Sequence, residues 1–407
     1  MLLQVGYRSK IVGKWHLGHS KYDYHPLNNG FQEFYGSTNC HFGPYSDPST
    51  IPNIPVFKDE NMIGRYFENI KINRKKQISN LTQVYTEEAL NFIRTQAKSR
   101  TPFFLYWTPD SLHAPTFRSK KFVGKSLKSS SYGDTLIEID DSVGRILKEV
   151  RDNSNISSNT LVFFTSDNGA ALVSKNDAGT MGPFLCGKQT TFEGGFREPG
   201  IAWWPGKIFP KRTSLHLATT MDLFSTFASL AQVDIPKDRV LDSQDLSPIM
   251  FEKNSKKNFG TEYDKKAVFY YRGDTLMALR VGSYKAHFWT FTNPWAELEK
   301  NIDFCPGNFV ENVTTPDLTK HKTPILFHLD RDPGERYPIA SWQTEYKVAM
   351  KNILEAYLDH QQNLKPGEPV LNICDNAAMN WRPHGCEKIG MCLKPPESLP
   401  HHCEWPH

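Results

Sequence analysis

The segment from Leu161 to Gly169 is the feature that most constrains how this chain can fold. It begins with a short apolar and aromatic run, which is typical of a buried strand. The run ends in Ser166, Asp167, Asn168 and Gly169, all of which favour turns. Ligands of open α/β sheets bind outside the carboxyl ends of strands, so Asp167 and Asn168 are candidate ligands of Ca²⁺ or Mg²⁺. A plain Asp-Asn-Gly turn is the alternative interpretation.

Strands and helices are predicted to alternate through the first half of the chain. Apolar residues recur at helical spacing between Tyr132 and Asn153, which indicates a long amphipathic helix. The predicted strands are Lys10–Trp15, Pro102–Trp107, 161–165 and Gly200–Trp204, and the other predicted helices are Val84–Lys98 and Thr219–Gln232. This order implies an α/β fold with a parallel sheet and helices on both faces.

The pattern changes after about residue 240. Short strands predicted there would form an antiparallel sheet, on which a helix at Gln343–Gln362 packs. The predicted strands are Ala267–Tyr271, Leu276–Val281, Tyr284–Trp289 and Leu326–Leu329. We therefore expect an α/β domain at 1–240, a smaller α+β domain at 241–364, and an irregular Cys- and Pro-rich tail at 365–407.

Composition excludes several classes of function. The chain has 407 residues, of which 39% are hydrophobic and 23% charged, as is ordinary for a globular protein. A formal charge of +4 gives no argument for a nucleic-acid partner. No apolar run approaches the roughly 18 residues of a membrane span, so no membrane association is predicted.

Cysteines and sequons favour an oxidising, glycosylating compartment. Four of the seven cysteines lie beyond residue 370 without the paired spacing of a zinc ribbon, which favours disulfides over zinc. Asn80, Asn155 and Asn312 each begin an N-x-[ST] sequon. The first ten residues have no signal-peptide pattern, so we expect this sequence to be part of a longer protein.

Three further segments carry candidate chemistry. Lys14 and His16 lie two apart and would share one face of an extended segment, as suits an anion and a proton transfer. His113 follows a predicted strand, where binding sites form. Gly187–Pro199 combines paired glycines with Lys188, which is compatible with anion binding but matches no nucleotide motif. A surface lysine and a structural or loop histidine are the alternatives.

Taken together and in this order, these motifs resemble those of the type I sulfatases. The resemblance covers essentially the whole chain. It rests on Gly6–His19, Asn39–Tyr45, Phe184–Gly195, Tyr270–Met277, Asp332–Arg336, Cys386–Cys392 and Pro395–Ser398.

The resemblance implies an alkaline-phosphatase-like α/β fold with a large mixed sheet, one Ca²⁺ and a formylglycine made from a cysteine. Asp167 and Asn168 would be Ca²⁺ ligands. Lys14 and Lys188 would bind sulfate oxygens, a charge stabilisation that such ester chemistry requires. His16 would hold the formylglycine hydrate, and His113 would bond the ester oxygen or protonate the leaving alcohol.

The resemblance also implies the substrate and the assembly. The substrate would be the 6-sulfate of N-acetylgalactosamine in chondroitin sulfate or of galactose in keratan sulfate. We add Arg272 as a residue that binds a uronate or hydroxyl of the sugar chain. The implied disulfides are Cys186–Cys305, Cys374–Cys403 and Cys386–Cys392, with Cys40 free. The protein would be a lysosomal or secreted homodimer.

One departure from the family pattern is large. The family nucleophile lies in a C-x-P-S-R motif, and two more Ca²⁺ ligands lie in an Asp-Asp pair, but neither occurs in this sequence. We therefore expect the 407 residues by themselves to hydrolyse nothing. A non-catalytic or regulatory form that binds sulfated glycans is one alternative. A phosphatase or phosphodiesterase of the same fold is another, although two-metal enzymes usually need a richer Asp/His set.

Overall fold

The computed structural model describes residues 1–18, 22–39, 55–65, 72–73, 75–128, 130–253, 266–292 and 303–366. The strands are β1 Arg8–Lys14, β2 Glu33–Ser37, β3 Pro55–Lys58, β4 Asn61–Arg65, β5 Ile72–Asn73, β6 Ile78–Ser79, β7 Phe103–Thr108, β8 Val162–Thr165, β9 Gly200–Trp203, β10 Ala267–Arg272, β11 Thr275–Val281, β12 Tyr284–Thr290 and β13 Thr319–His328. The α-helices are α1 Leu81–Ser99, α2 Ser131–Asp152, α3 Glu193–Phe196, α4 Asp222–Leu230, α5 Ser247–Phe251 and α6 Thr344–Asn363.

The larger sheet has the order β4-β3-β2-β1-β7, and β1 is parallel to both of its neighbours. Successive side chains of a strand point to opposite faces. Accordingly, Val12 packs with Leu81 and Tyr85 of α1 on one face, while Ile11 packs with Phe34 on the other. Burial on both faces explains the adjacent apolar residues Ile11 and Val12 at the centre of β1.

The order of elements implied a parallel sheet, and the structure adds antiparallel pairs to its parallel centre. A two-residue turn joins β3 and β4, so this pair is antiparallel. β8 pairs with β9, and that pair is also antiparallel. A parallel crossover usually carries a substantial helix, whereas the only α-helix between β8 and β9 is the four-residue α3. The expected fold class, a mixed sheet with helices and a second antiparallel sheet, is confirmed.

The second sheet has the order β10-β11-β12-β13 and is antiparallel throughout. Ile353 and Met350 of α6 pack on it against Leu279 and Leu326. β13 extends well before the predicted Leu326 because its first half is polar and gives no strand-like apolar signal. The predicted α6 and the three hairpin strands agree with the structure to within about a residue, an error that is usual for element ends.

The remaining predictions concern the length of α4, a membrane-spanning helix, the cysteines and the domain boundaries. α4 is shorter than predicted because the Asp222 carboxylate binds the Thr219 amide at 2.6 Å and fixes the start of the helix. Among the described residues, no helix combines the length and apolar character that crossing a bilayer requires. Cys40 and the tail cysteines lie outside the described residues, and the proposed domain boundaries stay a prediction.

Candidate active site

The carboxyl ends of β1 and β8 meet through a charged pair. Lys14 is the last residue of β1, and its Nζ lies 3.2 Å from Oδ2 of Asp167, just beyond β8. The Lys14 side chain is 16% exposed and that of Asp167 64% exposed. Two residues that are 153 positions apart in the chain therefore meet at this edge of the structure, which we call the β8 corner. The carboxylate side of the β8 corner is open to solvent.

The turn after β8 fixes the orientation of Asn168. The Ser166 hydroxyl donates to the Asn168 carbonyl at 3.0 Å. The Asn168 side-chain amide donates to the Gly169 carbonyl, also at 3.0 Å. Because the NH₂ group is engaged in this way, the Oδ1 atom of Asn168 is the one suited to face a cation.

His113 and Lys188 form the second polar pair of the site. His113 Nδ1 lies 2.6 Å from the Ala114 carbonyl, and its Nε2 lies 3.2 Å from Lys188 Nζ. A carbonyl can only accept, so Nδ1 carries the proton and Nε2 accepts from the ammonium. Lys188 Nζ and His113 Nε2 thus share one proton, which the pair can donate to a leaving oxygen.

Electrostatics favour the ionised form of Asp167 and the protonated form of Glu198. Crowding by protein atoms acts to raise the pKa of Asp167, but Lys14 and then Lys188 lower it below its usual value overall. Burial and the nearby Asp167 carboxylate raise the pKa of Glu198 to about 7, against a weaker hydrogen bond from Ser166. The sequence analysis missed Glu198, although this residue stands near the end of the Gly187–Pro199 segment.

Glu198 should make stability depend on pH. Its folded pKa of about 7 lies above its ordinary 4.5, so the folded chain holds a proton that the unfolded chain releases between these values. The free energy of unfolding should therefore fall as the pH rises through this window. Glu198→Gln should remove that fall. Urea denaturation of both proteins in EDTA from pH 4 to 8 measures it, and parallel curves would contradict the assignment.

Arg272 lies next to the Lys188 loop, which comprises residues 187–192. Its NH1 group donates to the Gln189 carbonyl at 3.3 Å, and its guanidinium lies 4.4 Å from the centre of the Phe291 ring. Arg272 therefore contacts the residue that follows Lys188. The predicted role in binding a uronate or hydroxyl stays a prediction.

His16 and the sequon asparagines occupy exposed positions. His16 follows Lys14 by two residues, and its amide donates to the Thr38 carbonyl at 3.2 Å. Lys14 contacts Asp167, and His113 contacts Lys188. His16 is assigned to the site because it follows β1 two residues after Lys14. Asn80, Asn155 and Asn312 are all exposed.

A disulfide joins Cys186 and Cys305, the pairing that the sulfatase resemblance implies. It closes a sequence separation of 119 residues and ties the Lys188 loop to the segment that precedes β13. In the chain-entropy view, a loop of this size stabilises the folded state by about 4–5 kcal/mol.

Loss of this disulfide should loosen the Lys188 loop. We expect the double variant Cys186→Ser/Cys305→Ser to be cut by trypsin after Lys188 several-fold faster, because local opening costs less free energy. Cleavage after Arg100, at the end of α1, serves as the internal control. Equal rates after Lys188 in variant and native protein would count against this coupling.

The donor types at the β8 corner fit Ca²⁺, which prefers carboxylate and amide oxygens. Ca²⁺ takes six to eight oxygen ligands. Within the part of the chain that the structure describes, no three His, Cys, Asp or Glu side chains are grouped to hold a metal. Asp167 and Asn168 thus suit part of a calcium shell.

The comparisons with known proteins define the class. The Sulfatase family model matches residues 1–233, and that for the C-terminal region of aryl-sulfatase matches residues 263–394. This chain belongs to the sulfatase family, and the resemblance inferred from its motifs is confirmed.

Individual proteins of this family are similar to the chain in sequence or in structure. The N-acetylgalactosamine-6-sulfatase of Canis lupus familiaris is 55% identical across 100% of this chain and 76% of the relative. The Homo sapiens protein of that name is 52% identical with the same coverage. Arylsulfatase A of Homo sapiens is 32% identical over 95% of this chain and 77% of its own length. The structure of PsFucS1 sulfatase from Pseudoalteromonas sp. matches with a TM-score of 0.73 and 25% identity, covering 90% of this chain and 74% of that one.

Proposed function

We propose that this protein acts on the 6-sulfate of N-acetylgalactosamine or galactose units in chondroitin or keratan sulfate. The observation that carries the proposal is the convergence of two ammonium groups, one histidine and one carboxylate. Lys14 arrives from β1, His113 from the segment after β7, and Lys188 from the loop before α3. Relatives at 52–55% identity that are named N-acetylgalactosamine-6-sulfatase support the substrate class.

Each site residue has a chemical task in this proposal. Lys14 and Lys188 bind the sulfuryl oxygens, whose charge they stabilise as the ester bond breaks. Nε2 of His113 shares the Lys188 proton, and this pair protonates the leaving alkoxide. His16 would help to hold a formylglycine, if one is present. Ca²⁺ held by Asp167 and Asn168 would polarise a sulfuryl oxygen, and a formylglycine would supply the nucleophile.

A small, partly open polar pocket lies beside His113, and we place the sugar that carries the sulfate next to it. The pocket is lined by Ser79, Leu81, Thr82, Asp110, Ser111, His113, Pro115 and Phe117. Hydroxyl and carboxylate groups next to a phenyl ring suit the polar and apolar parts of a sugar. A 6-sulfate stands on an exocyclic carbon, so it would extend from a ring beside His113 towards Lys188, which contacts His113. A 4-sulfate is attached directly to the ring and cannot extend as far.

Binding of matched sugars tests this proposal. We expect the 407-residue chain to bind N-acetylgalactosamine 6-sulfate at least about tenfold more tightly than the 4-sulfate, a difference of roughly 1.4 kcal/mol. Isothermal titration calorimetry with Ca²⁺ and then with EGTA measures both affinities. Equal affinities would contradict the substrate assignment.

An Arg272→Ala variant with unchanged affinity for a sulfated oligosaccharide would remove Arg272 from the site.

The missing C-x-P-S-R motif supports a second function for the 407 residues alone, which is binding without turnover. We expect no hydrolysis of 4-methylumbelliferyl sulfate by this chain. Turnover that survives repurification and disappears on Lys188→Ala substitution would refute the expectation. The Lys188 variant serves here to exclude a contaminating sulfatase.

We also propose a glycosylated, lysosomal or secreted protein, because all three sequon asparagines are exposed. Protein expressed through a mammalian secretory route should lose mass on treatment with peptide N-glycosidase. Asn→Gln variants at 80, 155 and 312 would assign each site, and an unchanged mass would contradict the proposal. The homodimer stays a prediction.

A further inference from the structure

Two of the motif strings meet in a buried cluster of charged side chains away from the reacting groups. Glu193 belongs to the Phe184–Gly195 string and Glu335 to the Asp332–Arg336 string. Lys285 and His287 of β12 lie between them, and all four residues are at most 1% exposed. We name this cluster the buried network.

The buried network is closely paired. Nζ of Lys285 lies 3.0 Å from Glu193 Oε1 and 3.1 Å from Glu335 Oε1. Nε2 of His287 lies 2.7 Å from Glu335 Oε1. NH1 of Arg280 on β11 lies 3.5 Å from Glu193 Oε2. Three elements of the C-terminal part of the chain therefore converge on one residue at the start of α3.

Opposite charges are paired within the buried network. Burial opposes the charged form of Lys285, but Glu335 and Glu193 raise its pKa above the usual value. Burial likewise opposes ionisation of Glu335, which Lys285 and His287 overcome, so its pKa is lowered. Burial lowers the pKa of His287 and keeps it neutral. Two carboxylates thus face the cations of Lys285 and Arg280, and the more exposed Arg197 also lies 3.6 Å from Glu193 Oε2. Removing one partner of such a buried pair would leave an uncompensated charge, so the pairs hold their geometry.

Backbone hydrogen bonds carry this geometry to Lys188. Glu335 Oε2 accepts the Glu193 amide at 2.6 Å. The Gly194 amide donates to the Leu185 carbonyl at 2.9 Å, and the Lys188 amide donates to the Ala170 carbonyl at 2.9 Å. The Lys188 loop is therefore held between α3 and the turn that contains Asp167.

The packing leaves α3 little freedom to move. A Cβ added to Gly194 would overlap the carbonyl oxygens of Leu185 and Cys186. Leu185, Cys186 and Phe192 also share an apolar cluster with Phe327 of β13. A displacement of α3 would consequently displace the loop that presents Lys188, because the interior is close-packed.

We propose that the buried network is a positioning device through which the C-terminal sheet sets the place of Lys188 against a sulfate group. Glu335 and Lys285 are positioning residues that act through α3. The sulfated ligand in this inference rests on the proposed function. The hold of the buried network on the Lys188 loop does not depend on that function. Such positioning matters because small misplacements of a charged group cost large factors in binding and rate.

The variant Glu335→Gln tests the positioning role, with Asp222→Asn as its matched control. Asp222 is also a fully buried carboxylate that pairs with a lysine, Lys266, and binds backbone amides, but it lies at α4. Glu335→Gln should weaken N-acetylgalactosamine 6-sulfate binding about tenfold and accelerate tryptic cleavage after Lys188 about fivefold. Asp222→Asn should lower the urea midpoint without either change.

Other outcomes separate the two proposals. An affinity of Glu335→Gln within about twofold of native, or equal effects of both variants, would overturn the positioning role. If Glu335→Gln does not fold, His287→Gln replaces it and should give smaller shifts in the same two readouts. If the native chain binds no sulfated sugar, the proposed function fails, and the cleavage rates alone still decide whether the network holds the loop.

Discussion

Gly13→Ala is expected to lower the free energy of unfolding by about 4 kcal/mol or more, which places it among the most damaging single substitutions. Gly13 lies in β1, between Gly36 of β2 and Thr108 of β7. Its φ of 118° lies in the left-handed region, and an added Cβ would overlap the Thr108 carbonyl. Backbone strain and a backbone clash therefore add at a buried position next to Lys14.

Gly30→Ala is the control for the strain alone. Gly30 also has a positive φ, 95°, but an added Cβ there meets nothing within 4 Å. Only the conformational cost of about 1–2 kcal/mol should remain. Urea midpoints and m-values of the two variants give the comparison. Equal losses of stability would mean that the close approach of β1 and β7 is not the cause.

Lys188→Met should weaken binding of N-acetylgalactosamine 6-sulfate by roughly 30- to 100-fold, or about 2–3 kcal/mol. The substitution removes one cation from the sulfate group. It also removes the hydrogen bond to His113, whose Nε2 then lacks the shared proton. Methionine keeps most of the side-chain volume, so the loss should appear in affinity rather than in folding.

Two further variants make this result specific. Lys207→Met removes an exposed lysine beyond β9 and should leave the affinity unchanged. Lys188→Arg keeps the charge but not the compact ammonium, so it should fall between native and methionine. Thermal unfolding midpoints within a few degrees of native would show that the proteins are folded. If Lys188→Met bound as well as native, Lys188 would not contact the sulfate.

Several elements could be predicted because their signals are local. The long helix α2 carries apolar residues at helical spacing, and β12 is a short segment between turns that is rich in aromatic residues. The sequence analysis does not predict β2, and it predicts only the last part of β13. The extended polar start of β13 gives no apolar period, and its strand conformation depends on pairing with β12.

The candidate site shows the same division. Residue type and position after a strand were enough to select Lys14, His113 and Asp167. Neither the spacing nor the motif indicates that Lys14 contacts Asp167, or that Lys188 shares a proton with His113. Glu198 carries no sequence signal because its raised pKa comes from burial and from the Asp167 charge.

The sequence by itself determined the family, the alternation of elements in the first half and the residues that can carry the chemistry. Each of these depends on local pattern or on matched strings of residues. Only the tertiary structure decided that β8 and β9 are antiparallel, that Glu335 and Lys285 bind Glu193 at the start of α3, and which tautomer His113 adopts. These features depend on contacts between distant segments, whose distances and burial are set by packing and not by neighbouring residues.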